Sequence, residues 1–145
     1  MNHKIKKILL IVLIFNLLAC SNKQAQTKKY FRIDGIVTEE KINKKQITVV
    51  VKKPTALSIL GGRPMVATQD DLSLVQLNNH FWLESPKVLL HDIIKEWAKT
   101  HWQTVSVQTP YKISHQTINT RILAFETHQN QSKVTLEFSL YDDDN

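Results

Sequence analysis

The spacing of apolar and polar positions divides the chain into short segments of two kinds. Val134, Leu136, Phe138 and Leu140 alternate with Lys133, Thr135, Glu137, Ser139 and Tyr141. This is the clearest two-residue period in the chain, and it predicts a strand with one buried face. Residues 46–53 hold the run Val49-Val50-Val51, which predicts a central strand buried on both faces, and Pro54 ends it. Further strands are expected over residues 30–33, 63–68, 72–77, 102–107 and 117–126. Asp70-Asp71 and residues 128–131 read as hairpin turns, and Pro64 can only begin or edge its strand. Residues 56–60 fit a helical turn or a strand, because five residues are too few for periodicity to decide. Gly61-Gly62 permits positive φ or a close backbone approach.

One stretch has the helical period. Leu89, Ile93 and Trp97 recur every fourth residue, with Leu90, Ile94 and Ala98 beside them, forming a broad apolar stripe. Ser85 is placed as N-cap and Pro86 as the first helical residue, so the helix should run from Pro86 to about Thr100. The preceding residues, 78–84, read as an aromatic loop. The expected fold is α+β: a single domain with a mixed or antiparallel sheet of six or so strands and one main helix packed on one face. The other face would then need a partner, a second copy or further chain to cover it.

The first residues follow neither period. Lys4, Lys6 and Lys7 precede an apolar run over residues 8–15, and Leu17-Leu18-Ala19-Cys20 follows. A basic start, a short apolar stretch and a small residue before a cut make an export signal. The stretch falls short of the ~20 residues that span a bilayer. Leu17-Leu18-Ala19-Cys20 also has the form of a lipobox, so residues 1–19 are expected to be removed and Cys20 to carry acyl groups. Cys20 is the only cysteine, which excludes an intramolecular disulfide and any cysteine-based metal site or nucleophile. Several acyl chains, each contributing roughly 0.8 kcal/mol per buried CH2, give stable anchoring. Ser21 behind the cysteine resembles outer-membrane lipoproteins, in which aspartate at that place favours inner-membrane retention. The expected organisation is a signal peptide over 1–19, a lipidated tether over 20–28, the domain over 29–141 and an acidic tail over 142–145.

Cleavage changes the charge. Three of the 19 basic residues lie in the signal, so sixteen remain against 13 acidic residues, a net charge of +3. A nucleic-acid role is not supported, since it needs a concentrated basic face, and export argues against it. Lys23, Lys28, Lys29, Arg32, Lys41, Lys44 and Lys45 cluster near the tether. They are read as solvating charges rather than as a headgroup-binding patch.

Catalytic motifs are missing. The sequence has no phosphate loop, no Gly-x-Ser-x-Gly and no His-Glu-x-x-His. His80 and Glu84 would share a face only in a helix, and His91 and Asp92 point different ways on one. His101, His115 and His128 fall at expected element ends and read as surface or capping residues. No enzyme activity, cofactor or metal is expected. Trp82, Trp97 and Trp102 are weighed as walls of an acyl-chain groove against ordinary core packing. Trp97 is assigned to the core, and Trp82 is left the more open case. Gly61, Gly62, Arg63, Pro64, Met65 and Trp82 form the candidate interaction surface, with residues 61–66 as a possible docking edge.

The lipobox, Tyr30-Phe31-Arg32-Ile33-Asp34, Arg63-Pro64-Met65-Val66, Leu74, Leu77, His80-Phe81-Trp82-Leu83-Glu84-Ser85-Pro86, Leu89-Leu90 and Ile122-Leu123-Ala124-Phe125-Glu126 occur in this order. In that order they resemble the ABC-type transport auxiliary lipoprotein family, the PqiC-like group, over most of residues 28–142. The resemblance implies a non-enzymatic accessory role beside an ABC transporter and an MCE-domain protein that move lipid between envelope membranes. Family members usually continue past the last hairpin with another strand and a helix. The implied location is the periplasmic face of the outer membrane, with attachment through Cys20 and a homo-oligomer as a further possibility. The rival expectation is an envelope binding or assembly lipoprotein that works without a transporter.

Overall fold

The computed structural model describes residues 26–33, 43–129 and 131–143. The signal, the lipobox with Cys20, tether residues 20–25, Gly35 and most of the expected loop after it lie outside the described residues. So do Asn130 of the last turn and residues 144–145.

The described residues form one domain, a mixed eight-stranded sheet with one helix packed against it. In chain order the elements are β1 (Lys29–Phe31), β2 (Lys45–Val51), β3 (Thr55–Ala56), β4 (Pro64–Thr68), β5 (Leu74–Trp82), α1 (Pro86–His101), β6 (Trp102–Ser106), β7 (His115–His128) and β8 (Gln131–Asp143).

The 14-residue β7 is the spine. One of its edges is shared end to end by three parallel partners: β2 from Thr48↔His115, β3 from Thr55↔Arg121 and β4 at Ala67↔Thr127. Pro54 explains the break between the first two. It cannot continue the ladder of β2, and the chain resumes pairing one step along as β3. The other edge of β7 is taken along its whole length by β8, antiparallel from His115↔Asp143 to His128↔Gln131. The expected hairpins β4–β5 and β7–β8 are both present. The last strand continues through Asp142, which accepts a hydrogen bond from Gln116 Nε2 at 2.8 Å, where the acidic tail was expected to start.

The core lies between α1 and the sheet. Val49 and Val51 of β2, Ile118, Ile122 and Phe125 of β7, and Trp102 at the start of β6 meet Leu90, Ile94 and Ala98 of the helix. Val50, pointing the opposite way from its neighbours, is also fully buried, as the Val-Val-Val run predicts. The helix seats its stripe differently from the sequence reading. Pro86, Leu90, Ile94 and Ala98 are the buried row. Trp97, expected in the core, is 42% exposed and lies beside His101 and Trp102. Ile93 of the flanking row is only partly buried against the core, and Pro86, Leu90, Ile94 and Ala98 form the centre of the stripe.

Two further expectations change. Residues 78–82 are strand rather than loop, because β1 lies parallel to them and pairs Lys29↔His80 through Phe31↔Trp82. The ladder between β4 and β5 slips within this region, and Asn79 takes φ 61° there. Asparagine tolerates that left-handed conformation better than most residues. Residues 56–60 contain the end of β3 followed by a turn, closed by Leu60 N–H to Leu57 O at 3.0 Å.

Candidate functional site

The structure brings most of the candidate interaction residues together where β4 begins beside the end of β5. Trp82 N–H donates to Arg63 O at 2.7 Å, Arg63 Nε donates back to Trp82 O at 3.3 Å, and Pro64 pairs with Phe81. Their exposure differs. Gly61 is buried, Gly62, Pro64, Met65 and Trp82 are half-buried, and only Arg63 is exposed. A Cβ on Gly61 would stand 3.0 Å from Lys87 Cε, so the close approach expected of the glycine pair is realised there, while neither glycine takes positive φ.

β4 has β5 on one side and β7 on the other; its pairing with β7 is at Ala67↔Thr127, just past the possible docking edge at residues 61–66. The half-buried Trp82 ring stands edge-on to Phe125 with centroids 5.0 Å apart, and among the described residues its buried Nε1 has no hydrogen-bond partner. Trp102 is core, 5% exposed, with Nε1 donating to Gln116 Oε1 at 2.8 Å.

The described histidines turn to backbone carbonyls. His80 Nδ1 lies 2.8 Å from Asn78 O, His91 Nε2 3.0 Å from Val51 O, His101 Nδ1 3.0 Å from Trp97 O, His115 Nδ1 2.8 Å from Ile113 O and His128 Nδ1 3.1 Å from Thr68 O. His115 is buried rather than a surface cap, 3% exposed. Among the described residues no three His, Cys, Asp or Glu side chains gather into a metal-binding group, and no helix is long and apolar enough to cross a membrane. The perturbed carboxylate is Asp71 in the β4–β5 turn. The Ser73 hydroxyl and amide hold it below the usual carboxylate range, and the amide donates to Asp71 Oδ1 at 2.9 Å. That is turn chemistry, since the side chain is solvent-exposed.

Two surfaces stand out that the sequence reading did not single out. The first adjoins the tether. Tyr30 is 53% and Phe31 38% exposed; Tyr30 packs on Phe81 and Phe31 stacks on His80. Lys28 lies over the Phe81 ring at 5.8 Å and Arg63 over the Tyr30 ring at 5.6 Å. The signal for it was the aromatic pair itself, which the strand pattern absorbed.

The second surface is β8. Val134, Leu136, Phe138 and Leu140 lie opposite Phe125, Ile122, Thr120 and Ile118, so they point to the core side of the sheet. Yet Val134, Phe138 and Leu140 are 53%, 55% and 49% exposed, and of the four only Leu136 packs against the core. The alternation predicts which face is apolar. How far the helix reaches across that face is a tertiary property that no local pattern contains.

No family model matches the sequence, and no curated protein matches it significantly. Solved structures do share the fold. A Xanthomonas campestris protein described by the family model DUF330 superposes with a TM-score of 0.60 at 11% identity, covering 79% of this chain and 77% of its own. An uncharacterized protein superposes with a TM-score of 0.54 at 16% identity, covering 83% of this chain and 84% of its own. At these identities the likeness is one of fold.

Proposed function

We propose that the protein is an exported lipoprotein held by acyl groups on Cys20 at the periplasmic face of the outer membrane. There it serves as a non-enzymatic accessory component of an ABC and MCE-type system that moves lipid between membranes. The carrying observation is the ordered set of segments that follow the lipobox. The segment with Tyr30 and Phe31 forms β1, the one with Arg63 and Pro64 opens β4, the one with Phe81 and Trp82 closes β5, and the one with Ile122 and Phe125 lies in β7. Sequence order and sheet position agree, and the fold is shared with a DUF330 protein. A second reading, an envelope binding or assembly lipoprotein without a transporter, is favoured by the open apolar face of β8.

Crosslinking in intact cells, membrane purification and mass spectrometry test the proposal. Recovery of an MCE-domain protein or its transporter is the expected result. Reproducible recovery of unrelated envelope proteins would replace it with the second reading. Replacing Cys20 by Ser tests the anchor separately, since it should release the chain from the membrane fraction.

A further inference from the structure

Lys28, Tyr30, Phe81 and Arg63 form a continuous chain of cation and aromatic contacts. The Lys28 ammonium stands 5.8 Å over the Phe81 ring, Phe81 meets Tyr30 with centroids 5.7 Å apart, and the Arg63 guanidinium stands 5.6 Å over Tyr30. The pairing of Tyr30 with Phe81 sets both rings on one face of the sheet. Phe31 and Trp82, the next pair, point to the other face, where Trp82 packs against the core under α1. The cluster therefore faces away from the helix. Tyr30 is 53% exposed, and Lys28 and Arg63 are exposed as well. Among the described residues neither cation is paired with a carboxylate. Arg63 is held through Nε, which donates to Trp82 O at 3.3 Å, and its two Nη groups have no acceptor among the described residues. Cations seated on aromatic rings keep their charge and their N–H donors for an outside anion.

We propose that this face docks on the anionic phospholipid headgroups of the membrane that holds Cys20. The proposal rests on the reading of Cys20 as the lipid anchor. Lys28 follows Cys20 by eight residues, so the chain between them reaches at most about 29 Å. The anchor thus keeps the cluster within a bilayer's thickness of the surface. Headgroup contact becomes an intramolecular step, so a small cluster suffices where an unanchored segment needs about four to eight basic residues. Each basic residue at an anionic surface strengthens association about fivefold. A tyrosine ring suits the headgroup level, with its apolar body toward the acyl chains and its hydroxyl in water. The guanidinium of Arg63 matches the geometry of a phosphate. By spacing alone, Lys28 is one of seven charges near the tether that read as solvating. The fold singles it out and brings Arg63, the residue before β4, to its side of the sheet.

The test uses the full-length protein purified from cells and added to an excess of vesicles, of phosphatidylcholine alone or mixed with phosphatidylglycerol. Acetylation rates at single lysines are read by mass spectrometry. Docking should slow Lys28 severalfold when phosphatidylglycerol is present. Molar salt should restore the rate, since the screening length there is about 3 Å. Lys99, on α1 across the sheet, should react alike with both vesicles. Arg63→Gln should return most of the Lys28 reactivity. Lys99→Gln removes the same charge from the helix and should leave Lys28 protected. Equal Lys28 rates in the two vesicles overturn the proposal in the wild-type protein, with no variant involved. Equal effects of the two substitutions also overturn it, because they would assign the attraction to overall charge rather than to this face. The mass of the peptide carrying Cys20 reports acylation separately. A chain without acyl groups would sink the anchor reading, and the Lys28 rates would still decide the face.

Discussion

Trp82 and Phe125 meet edge-on, with ring centroids 5.0 Å apart and an interplanar angle of 62°. This contact ties the end of β5 to the spine of the sheet. Trp82→Ala should therefore cost about 3 kcal/mol in urea-unfolding free energy, at the lower end for a large aromatic because the ring is only half-buried. Trp82→Phe should cost far less. It keeps the aromatic contact and deletes an Nε1 that is buried without a partner. Equal losses from the two substitutions would show that the indole nitrogen, not the ring contact, is what matters.

The helix offers a contrast between neighbouring positions of one stripe. Ile94 is 4% exposed and belongs to the same core cluster as Val49 and Val51 of β2 and Ile118 and Ile122 of β7, so Ile94→Ala should destabilise by about 2–4 kcal/mol. Trp97 is 42% exposed, and Trp97→Ala should cost no more than about 1–2 kcal/mol, from its contacts with His101 and Trp102. Chemical denaturation of both variants checks the ordering. A larger loss at Trp97 would mean that the stripe is seated as its width in the sequence implies.

These cases show what the sequence made legible. The two-residue period of β8, the Val-Val-Val run of β2, the hairpins and the start of α1 at Pro86 all follow from local spacing and turn chemistry. The strand character of residues 78–82 was hidden, because it depends on β1 pairing from about fifty residues away. The place of β4 between two strands was hidden for the same reason: a proline at a strand start is compatible with an edge, and only the arrival of β7 removes that edge. The candidate surface at Arg63, Pro64 and Trp82 was legible as a cluster. Its division into one exposed cation and several packed residues was not, since burial is decided by what lies opposite.

Leu72 occupies the β4–β5 turn with φ 65° and is 80% exposed. A leucine there bears the left-handed conformation without gaining burial. Leu72→Asn should stabilise the protein by about 0.5–1 kcal/mol, because asparagine visits this region at lower cost. A raised thermal midpoint is the expected reading. A lowered one would mean that Leu72 packs against something in the folded protein that compensates for its backbone.

Asp71, next to it, gives the turn a pH dependence. Its carboxylate is lowered by the Ser73 hydroxyl and then by the Ser73 amide. A folded-state value below the unfolded one means the turn gains stability from the ionised form. That gain is fully present above the ordinary carboxylate range, near pH 4, and is lost as the pH falls through the lowered folded value. Asp71→Ala should therefore be less stable than wild type at pH 7, and the gap should narrow as the pH falls below the ordinary carboxylate range. Because the group is fully exposed, the gap should also shrink in high salt only as far as Coulomb attraction contributes, leaving the hydrogen bonds from the Ser73 hydroxyl and then the Ser73 amide as its source. Urea midpoints of the two proteins across pH 2–7 decide the matter. A gap that stays constant with pH would assign the effect to the shape of the turn and not to the charge on Asp71.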